Sequence, residues 1–203
     1  NSMSTGFFKL PQPENESVYS YAPGSSERSK LKDAIYNARS KVVDIPMIIN
    51  GKEVRTDDRI AIFPPHDLKQ LLGYYHKGDA AHVQMAIKSA MEAKEKWEAM
   101  SWENRASIFL KAAALLAGKY RYRMNAATMI GQSKNPFQAE IDSACELIDF
   151  FRFNVKFMSE IYSFQPKSMQ NIWNRQEMRP LEGFGVALTP FNFTSIAGNL
   201  PTA

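Results

Sequence analysis

The single cysteine, Cys145, is the first residue of this sequence that could do covalent chemistry, because a thiolate is a strong nucleophile. It lies in the middle of a predicted helix, beside an apolar stripe, and no histidine occurs within ten residues of it. An activated thiol needs a helix N-terminus or a cationic neighbour. We therefore predict that Cys145 is a small core residue and not a nucleophile.

The three histidines are the next candidates, because imidazole is a common metal ligand. His66, His76 and His82 do not stand at the spacings that zinc ligands show, and the sequence holds no second cysteine to complete such a set. The sequence therefore predicts no metal site.

Glu140 lies on the flank of a predicted apolar helix stripe, near Phe137 and Ala144. A carboxylate in such surroundings is costly to bury unless it meets a cation. The residue could equally be an acidic residue of the early helical turns, where its charge favours the helix dipole. The residues by themselves leave both roles open.

Asn192 stands between Phe191 and Phe193, directly after a predicted strand that ends at Thr189-Pro190. A side-chain amide in an apolar turn can donate a hydrogen bond to a developing oxyanion with little reorganisation. An asparagine at such a position can also cap the turn that follows it. This segment is nevertheless the most informative candidate site in the sequence.

The first third of the chain supplies an arm, a helix and short strands. Residues 11–29 are rich in Pro, Ser and Glu, which indicates an extended arm that wraps a neighbour. A helix is predicted from Ser29, its N-cap, to Arg39. Asn50-Gly51 tolerates positive φ at both turn positions, so it predicts a hairpin within Met47–Val54. A further strand is predicted at Ile60–Phe63.

Three helices follow and must position Glu140. Their N-caps are predicted at Asp79, Ser101 and Asn135. The second helix either continues through Gly118 or restarts after it, and Gly131 is predicted as its end. The third helix has the clearest start, because Pro136 suits its first position. Its apolar residues recur at steps of three and four and predict one continuous buried stripe: Phe137, Ile141, Ala144, Ile148, Phe151, Val155, Met158 and Tyr162.

Composition excludes several classes of protein. The 203 residues hold 25 Lys and Arg against 21 Asp and Glu, a formal charge of +4, and 44% are hydrophobic. These values are typical of a globular protein and exclude a largely disordered chain. The basic residues are spread along the chain, which argues against nucleic acid as a partner, and no apolar run is long enough to span a membrane.

The N-terminus bears on localisation. Asn1 and Ser2, which precede Met3, resemble what remains after a purification tag is cleaved off, with Met3 as the natural start. The residues after Met3 show neither a secretory signal nor a transit peptide, and a single cysteine suits a reducing compartment. We therefore expect a cytoplasmic protein.

The segment Thr189-Pro190-Phe191-Asn192-Phe193-Thr194 resembles the Pro-aromatic-Asn-Phe signature of the aldehyde dehydrogenase superfamily. Other motifs are similar to one branch of it, the 1-pyrroline-5-carboxylate dehydrogenases, and the resemblance runs from about Asn15 to the end of the sequence. These motifs are Asn15-Glu16, Gly24-Ser25-Ser26-Glu27-Arg28, residues 105–113, Gln138-Ala139-Glu140-Ile141-Asp142, residues 146–154 and residues 179–184.

The resemblance implies an α/β fold, namely the N-terminal part of the aldehyde dehydrogenase fold with its Rossmann-like NAD-binding domain. The residue pattern after Pro166 independently predicts strands at Trp173–Met178 and Gly185–Leu188. The implied divisions are an arm and short helix at 1–40, the helical part of the NAD-binding domain with a leading hairpin at 41–165, the strands of an oligomerisation flap at 166–188, and the start of the NAD-binding core at 189–203.

The resemblance also implies roles for single residues. Asn192 would be the catalytic, oxyanion-stabilising asparagine. Thr189, Pro190 and Phe191 would make backbone contacts to the nicotinamide-ribose side of NAD. Glu140 would face the amino group of the substrate, and Phe193 would pack on the aliphatic chain of the substrate.

The implied activity is the NAD-dependent oxidation of L-glutamate γ-semialdehyde, formed from 1-pyrroline-5-carboxylate, to glutamate in proline catabolism. The implied assembly is a homodimer or a larger homo-oligomer. Members of this family are much longer, and the resemblance places their nucleophilic Cys and general-base Glu outside these residues, so we expect the 203 residues alone to be inactive. The alternative is a non-catalytic helical module that binds a partner through its aromatic helix.

Overall fold

The computed structural model describes residues 9–200, which form seven α-helices, one π-helical segment and five short strands. The helices are α1 (Ser26–Arg39), α2 (Ala80–Glu98), α3 (Trp102–Ala117), α4 (Arg121–Gln132), α5 (Pro136–Ala139), α6 (Glu146–Ser163) and α7 (Ile196–Asn199), and the π-helical segment is Glu140–Cys145. The strands are β1 (Val43–Ile45), β2 (Met47–Ile49), β3 (Lys52–Val54), β4 (Arg59–Ile62) and β5 (Gly73–His76). Within this part of the chain, no helix is both long and apolar enough to cross a membrane.

The strands form two small sheets. β2 and β3 are the predicted hairpin, and its turn residues Asn50 and Gly51 have φ of 52° and 69°. The other sheet has the order β1-β5-β4, with β1 parallel and β4 antiparallel to β5. β1 and β5 were not predicted from the sequence. Their close approach requires Gly73, because a Cβ there would lie 2.2 Å from the carbonyl oxygen of Val43.

The helices bury two apolar clusters. The larger one lies between α3, the π-helical segment and α6, and the smaller one lies between the arm, α1 and α4. Burial of such side chains is the main favourable term in folding. The larger cluster consists of Ala113, Leu116, Ala144, Leu147, Ile148 and Phe151, and the smaller one of Tyr21, Leu31 and Ala126.

The predicted N-caps at Asp79, Ser101 and Asn135 are confirmed, since each side chain accepts from a backbone N–H of the first turn. Two other helix limits were wrong. α1 begins at Ser26 and not after Ser29, because the Ser25 side chain caps it. The helix restarts after Gly118 as α4, which runs past Gly131 to Gln132, where the left-handed conformation of Ser133 (φ 55°) stops it.

The prediction of one continuous third helix was wrong. The helix widens into the π-helical segment between α5 and α6. The backbone N–H of Glu146 bonds to the carbonyl of Ile141, five residues earlier. The wide turns shift the helical register, so Phe137 is 62% exposed, while Ala144, Ile148 and Phe151 are buried. The predicted stripe therefore begins to be buried within the wide turns, at Ala144, and continues along α6.

Two further expectations about local structure were wrong. The segments Trp173–Met178 and Gly185–Leu188 are exposed and form no strands, since no strand among residues 9–200 lies beside them to pair with their backbone. The predicted arm ends at its turn at Pro23-Gly24, because residues 26–29 belong to α1. Its described contacts are with helices of the same chain, and the expectation that it wraps a neighbour stays a prediction.

Candidate functional site

A buried ion pair lies at the junction of α4 and the π-helical segment. The side chains of Arg121 and Glu140 are both inaccessible to solvent and form a salt bridge. Arg121 Nε also donates to Glu140 Oε1 at 3.1 Å. Burial of two charges is tolerated only when they pair and every remaining polar atom is satisfied.

The Glu140 carboxylate accepts three more hydrogen bonds from nitrogen and oxygen donors, besides a longer one of 3.7 Å from the thiol of Cys145. The hydroxyl of Tyr21 and the side-chain amide of Asn125 each donate to Oε2 at 2.6 Å, and the backbone N–H of Tyr19 donates to Oε1 at 2.9 Å. Both carboxylate oxygens are therefore bound by groups of the chain itself. This network connects the arm to α4 and to the π-helical segment.

Arg121 fastens the arm from the other side. Its Nη1 donates to Oε1 of Glu16 at 2.6 Å, and Arg152 of α6 donates to the other oxygen of Glu16 at 2.7 Å. The guanidinium also stacks on the ring of Tyr19, 3.8 Å from the ring centroid. Arginine suits this position because its planar group can pair, donate and stack at once.

The charges of the pair set the ionisation of the cluster. Burial by itself would raise the pKa of Glu140, but the hydrogen bonds from Arg121, Tyr21 and Tyr19 hold it below its usual value. Burial and the hydrogen bond to Glu140 raise the pKa of the Tyr21 hydroxyl well above its usual range. Glu140 is therefore ionised and Tyr21 neutral near neutral pH.

Cys145 lies beside this pair and is buried. Burial, followed by the charge of Glu140, raises the pKa of the thiol to about 12. A thiol that stays protonated at neutral pH is a poor nucleophile. The structure thus agrees with the prediction that Cys145 is structural.

The predicted cation partner of Glu140 is found inside the protein, as Arg121. The predicted contact of Glu140 with the amino group of a substrate stays a prediction. Among residues 9–200 the Glu140 carboxylate is closed on all sides, so a ligand could reach it only if Tyr21 or Arg121 moved.

The predicted catalytic segment forms a turn at Phe191-Asn192 between extended residues and the short helix α7. Thr189, Pro190 and Asn192 are exposed, and Phe191 is 96% exposed. Within the described part of the chain, the Asn192 side-chain amide has no hydrogen-bond partner and is free to donate to a ligand. The predicted site residues of this segment therefore lie together on one exposed turn, whereas Glu140 lies inside the protein.

Three side chains hold this turn against the helices. Gln132 Nε2 donates to the carbonyl of Phe191 at 3.2 Å, and Lys134 Nζ donates to the carbonyl of Asn192 at 2.7 Å. The hydroxyl of Ser195, a residue that is 1% exposed, donates to the carbonyl of Ser143 in the π-helical segment at 2.7 Å. The turn is therefore fixed by the end of α4 and by the wide turns.

The histidines serve local structure. His76 is buried and bonds through Nε2 to Asp44 at 2.9 Å, and His82 completes the capping box of α2. His66 bonds to the hydroxyl of Ser133 at 2.7 Å. No group of three or more His, Cys, Asp and Glu side chains in the described ranges is arranged to hold a metal ion.

Sequence reasoning missed Arg121, Ser195 and Lys134. Arg121 and Glu140 are 19 positions apart, and Lys134 and Asn192 are 58 positions apart, so no local spacing connects them. The cost of burying a carboxylate predicts that Glu140 needs a cation but does not say which one. The sequence does place Lys134 directly before Asn135, the predicted N-cap, and a cap fixes the backbone of its neighbours. That position does not indicate which group Lys134 contacts.

Comparison with known proteins identifies several relatives. A model of the aldehyde dehydrogenase family matches residues 53–199. The chain is 52% identical over 196 residues to the delta-1-pyrroline-5-carboxylate dehydrogenase of Agaricus bisporus, which covers 96% of this chain and 36% of that protein. It is 44% identical over 195 residues to a Dictyostelium discoideum protein of the same name, which is described as mitochondrial. That alignment covers 96% of this chain and 35% of the Dictyostelium protein.

A solved structure is similar over nearly the whole chain. It is the crystal structure of the Delta-pyrroline-5-carboxylate dehydrogenase of Mycobacterium tuberculosis bound with NAD, with a TM-score of 0.94 and 46% identity. The likeness covers 98% of this chain and 37% of that one. The chain therefore spans about a third of the length of the proteins it matches.

Proposed function

Because this chain belongs to the aldehyde dehydrogenase family, we propose that the full-length natural protein oxidises L-glutamate γ-semialdehyde to glutamate with NAD. The family and the fold that the motif at residues 189–194 predicted are confirmed. The proposed substrate is supported by relatives such as the Agaricus bisporus enzyme. The observation that carries the proposal is the exposed Asn192 amide on a turn that side chains of two other elements hold in place.

Asn192 is the proposed oxyanion donor. When a nucleophile adds to the aldehyde carbon, the carbonyl oxygen gains negative charge, and a fixed amide N–H can donate to it. The backbone carbonyl of Asn192 is held by Lys134, so the residue that carries the amide starts from a supported backbone position. Removing one such donor typically costs about 3 kcal/mol of transition-state stabilisation.

The nucleophile and the base are proposed to lie elsewhere in the full-length protein. Cys145 is the single thiol of the sequence, and it is buried and protonated at neutral pH. These 203 residues therefore offer no activated thiol, and we expect them to be inactive by themselves. The same inertness argues that a different cysteine attacks the aldehyde.

NAD is the proposed cofactor, since a relative of known structure binds it. Thr189 and Pro190 are extended and exposed, so their backbone is open to a dinucleotide, and Phe191 lies beside them on the turn. When bound, NAD supplies the acceptor for the hydride that leaves the aldehyde carbon. The residues present fit the role of a backbone cradle for its nicotinamide-ribose side.

Two residues are proposed to recognise the substrate. Phe193 is 37% exposed beside Asn192, so its ring can pack on an aliphatic chain. Glu140 would meet the amino group of the substrate, which requires its closed network to open.

The role of Glu140 is tested by comparing two substrates of a Glu140→Gln full-length protein, glutamate semialdehyde and a simple aliphatic aldehyde. The aliphatic aldehyde has no ammonium group, so it should be affected less. An equal loss with both aldehydes would contradict the substrate role of Glu140.

Assembly and localisation complete the proposal. The segment 166–188 exposes large apolar residues, among them Trp173, Leu181 and Val186 at 84%, 89% and 76%. Exposed apolar residues of this kind support an interface between subunits of a homo-oligomer. The cytoplasmic location expected from the sequence stays a prediction, since the Dictyostelium relative is described as mitochondrial.

The test of the activity is direct. The purified full-length protein should produce NADH from NAD when 1-pyrroline-5-carboxylate is added, whereas the 203 residues alone should not. NADH formation by the isolated 203 residues would refute the placement of the nucleophile, and no formation by the full-length protein would refute the activity itself.

A further inference from the structure

We propose that Lys134 is a positioning residue that holds Asn192 in its working geometry. This inference rests on the proposed function, because it concerns the residue that is to stabilise the oxyanion. Lys134 Nζ donates to the backbone carbonyl of Asn192 at 2.7 Å, and it lies 4.7 Å from the centroid of the Phe193 ring. One ammonium group therefore contacts the two neighbouring residues to which catalysis and substrate contact are assigned.

Lys134 is itself held in a fixed place. It lies between Ser133, whose left-handed conformation ends α4, and Asn135, whose side chain caps α5. Asn135 and Gln138 form a reciprocal capping box, with hydrogen bonds of 2.9 and 3.0 Å. A three-residue link with both ends fixed leaves its middle residue little freedom.

The ammonium group at the end of the Lys134 side chain is also held in place. Nζ forms a salt bridge with Asp142 of the π-helical segment, and the two side chains are only 19% and 16% exposed. A partly buried, charge-assisted hydrogen bond is stronger and better defined than an exposed one. The ammonium group therefore joins the π-helical segment to the backbone of the turn.

The turn needs such support from outside. Among the described residues, positions 190–193 make no main-chain hydrogen bond with one another. Gln132 and Ser195 hold the carbonyl of Phe191 and the end of the turn, but Lys134 is the contact on Asn192 itself. A transition-state donor must be held to within about 0.5 Å to be effective.

The first experiment measures the turn directly, without any assay of activity. In the full-length protein, Lys134→Met keeps the aliphatic stem and removes the charge and the donors. Limited proteolysis of the folded protein with chymotrypsin should cleave after Phe191 or Phe193 about tenfold or more faster than in the wild type, because the turn loses its contact on Asn192 and opens more often. The control is Lys88→Met, whose side chain is 78% exposed and pairs with Glu92 at the surface; its cleavage rate at these two sites should equal that of the wild type.

The second experiment measures the consequence for turnover. Lys134→Met should lower kcat about tenfold or more, as a misplaced donor does, with little change in the KM for NAD or in the melting temperature. Lys134→Arg should restore most of the loss, since it keeps a cation that donates and stacks. In an Asn192→Ala background the Lys134→Met substitution should cause no further loss, because the lysine acts through Asn192.

The outcomes separate this inference from the proposed function. Unchanged chymotryptic cleavage at Phe191 and Phe193 in Lys134→Met would overturn the positioning role, whatever the activity of the protein. Losses that multiply in the double variant would overturn it as well. An inactive wild-type protein would refute the proposed function only, since the proteolysis experiment would still decide the role of Lys134. If Lys134→Met does not fold, Lys134→Gln replaces it with the same expected results, since its amide cannot form the charged pair with Asp142.

Discussion

At the scale of single residues, the ionised carboxylate of Glu140 is stable in the core because a cation and three neutral donors surround it. Arg121 supplies the charge, and Tyr19, Tyr21 and Asn125 supply the other hydrogen bonds. If one charge of such a pair is removed, the other stays buried without compensation. The network therefore stabilises the fold only as long as it is complete.

Glu140→Gln should lower the free energy of unfolding of the full-length protein by about 3 kcal/mol, because it removes the fully buried charge partner of Arg121 and leaves it with Glu16 at the edge of the network. Glu160→Gln is the matched control. Glu160 pairs with Lys156 at the surface and is 57% exposed, so its loss should cost less than about 1 kcal/mol. Urea unfolding followed by circular dichroism measures both values. Equal small losses in the two variants would contradict the account of the pair.

Cys145 should resist alkylation in the native protein at pH 8, because its thiol is buried and the pKa is raised to about 12. The same reagent should modify it fully in denaturant, where the pKa returns to about 8.5. Mass spectrometry of peptides that contain Cys145 measures the modified fraction. Rapid labelling of the native protein would show that the thiol is accessible and would reverse its assignment as structural.

At the scale of elements, the π-helical segment connects the buried ion pair to the exposed turn. Glu140 begins the segment and binds Arg121, whereas Ser143 within it accepts a hydrogen bond from Ser195 of the turn. Asp142 of the same segment pairs with Lys134. π-Helical turns are frequent at functional sites. Here the segment supports the candidate site through its contacts with Ser195 and Lys134.

Ser195→Ala should reduce stability by about 1–3 kcal/mol, because it removes the hydroxyl that donates to the carbonyl of Ser143 in a buried place. Ser163→Ala is a suitable comparison, since that hydroxyl makes a similar bond of 2.8 Å to the carbonyl of Glu160 at an exposed helix end. Its effect should stay within about 0.5 kcal/mol. Thermal unfolding of the two variants would show no difference if the Ser195 bond were unimportant.

The elements also show what the sequence could predict. Side-chain caps such as Asp79 and Asn135, and the Asn50-Gly51 turn, act within a few residues, so they were found correctly. β1 and β5 escaped prediction because their pairing depends on residues 30 positions apart, as in Val43 with Gly73. The π-helical segment escaped because its apolar spacing resembles that of an α-helix. The motif at residues 189–194 predicted the family correctly, but the contact of Lys134 with Asn192 was missed because the two residues are 58 positions apart.

At the scale of the whole molecule, the arm is fastened to the helices mainly by polar contacts. Glu16 pairs with Arg121 and Arg152, and Asp149 of α6 accepts from the backbone of Glu16 at 2.7 Å and from Asn15 at 2.8 Å. The arm in turn supplies Tyr21 to the smaller apolar cluster. The attachment of the arm therefore depends mainly on ion pairs and on hydrogen bonds to ionised carboxylates.

The arm should detach at low pH. The pKa of Glu140 is held below its usual value in the folded protein, so its stabilising contribution is complete above the usual value of about 4.3. The contribution is lost as the pH falls through the lowered value, because the unfolded state then binds the proton more strongly. Limited proteolysis with an acid-active protease should leave residues 9–24 intact at pH 6–7 and cleave them progressively faster as the pH falls below about 4.3. A cleavage rate that does not depend on pH would contradict this account.

The central claim is that Asn192 stabilises the oxyanion, and turnover by an Asn192→Ala full-length protein tests it most directly. We predict a fall in kcat of about a hundredfold or more, equivalent to about 3 kcal/mol of transition-state stabilisation. NAD affinity and melting temperature should stay near the wild-type values, since the lost group is a side chain exposed on the turn. Asn192→Asp should be at least as harmful, because a carboxylate repels the developing charge. Near-normal turnover in Asn192→Ala, or loss of folding or of NAD binding in its place, would show that Asn192 is only a turn residue.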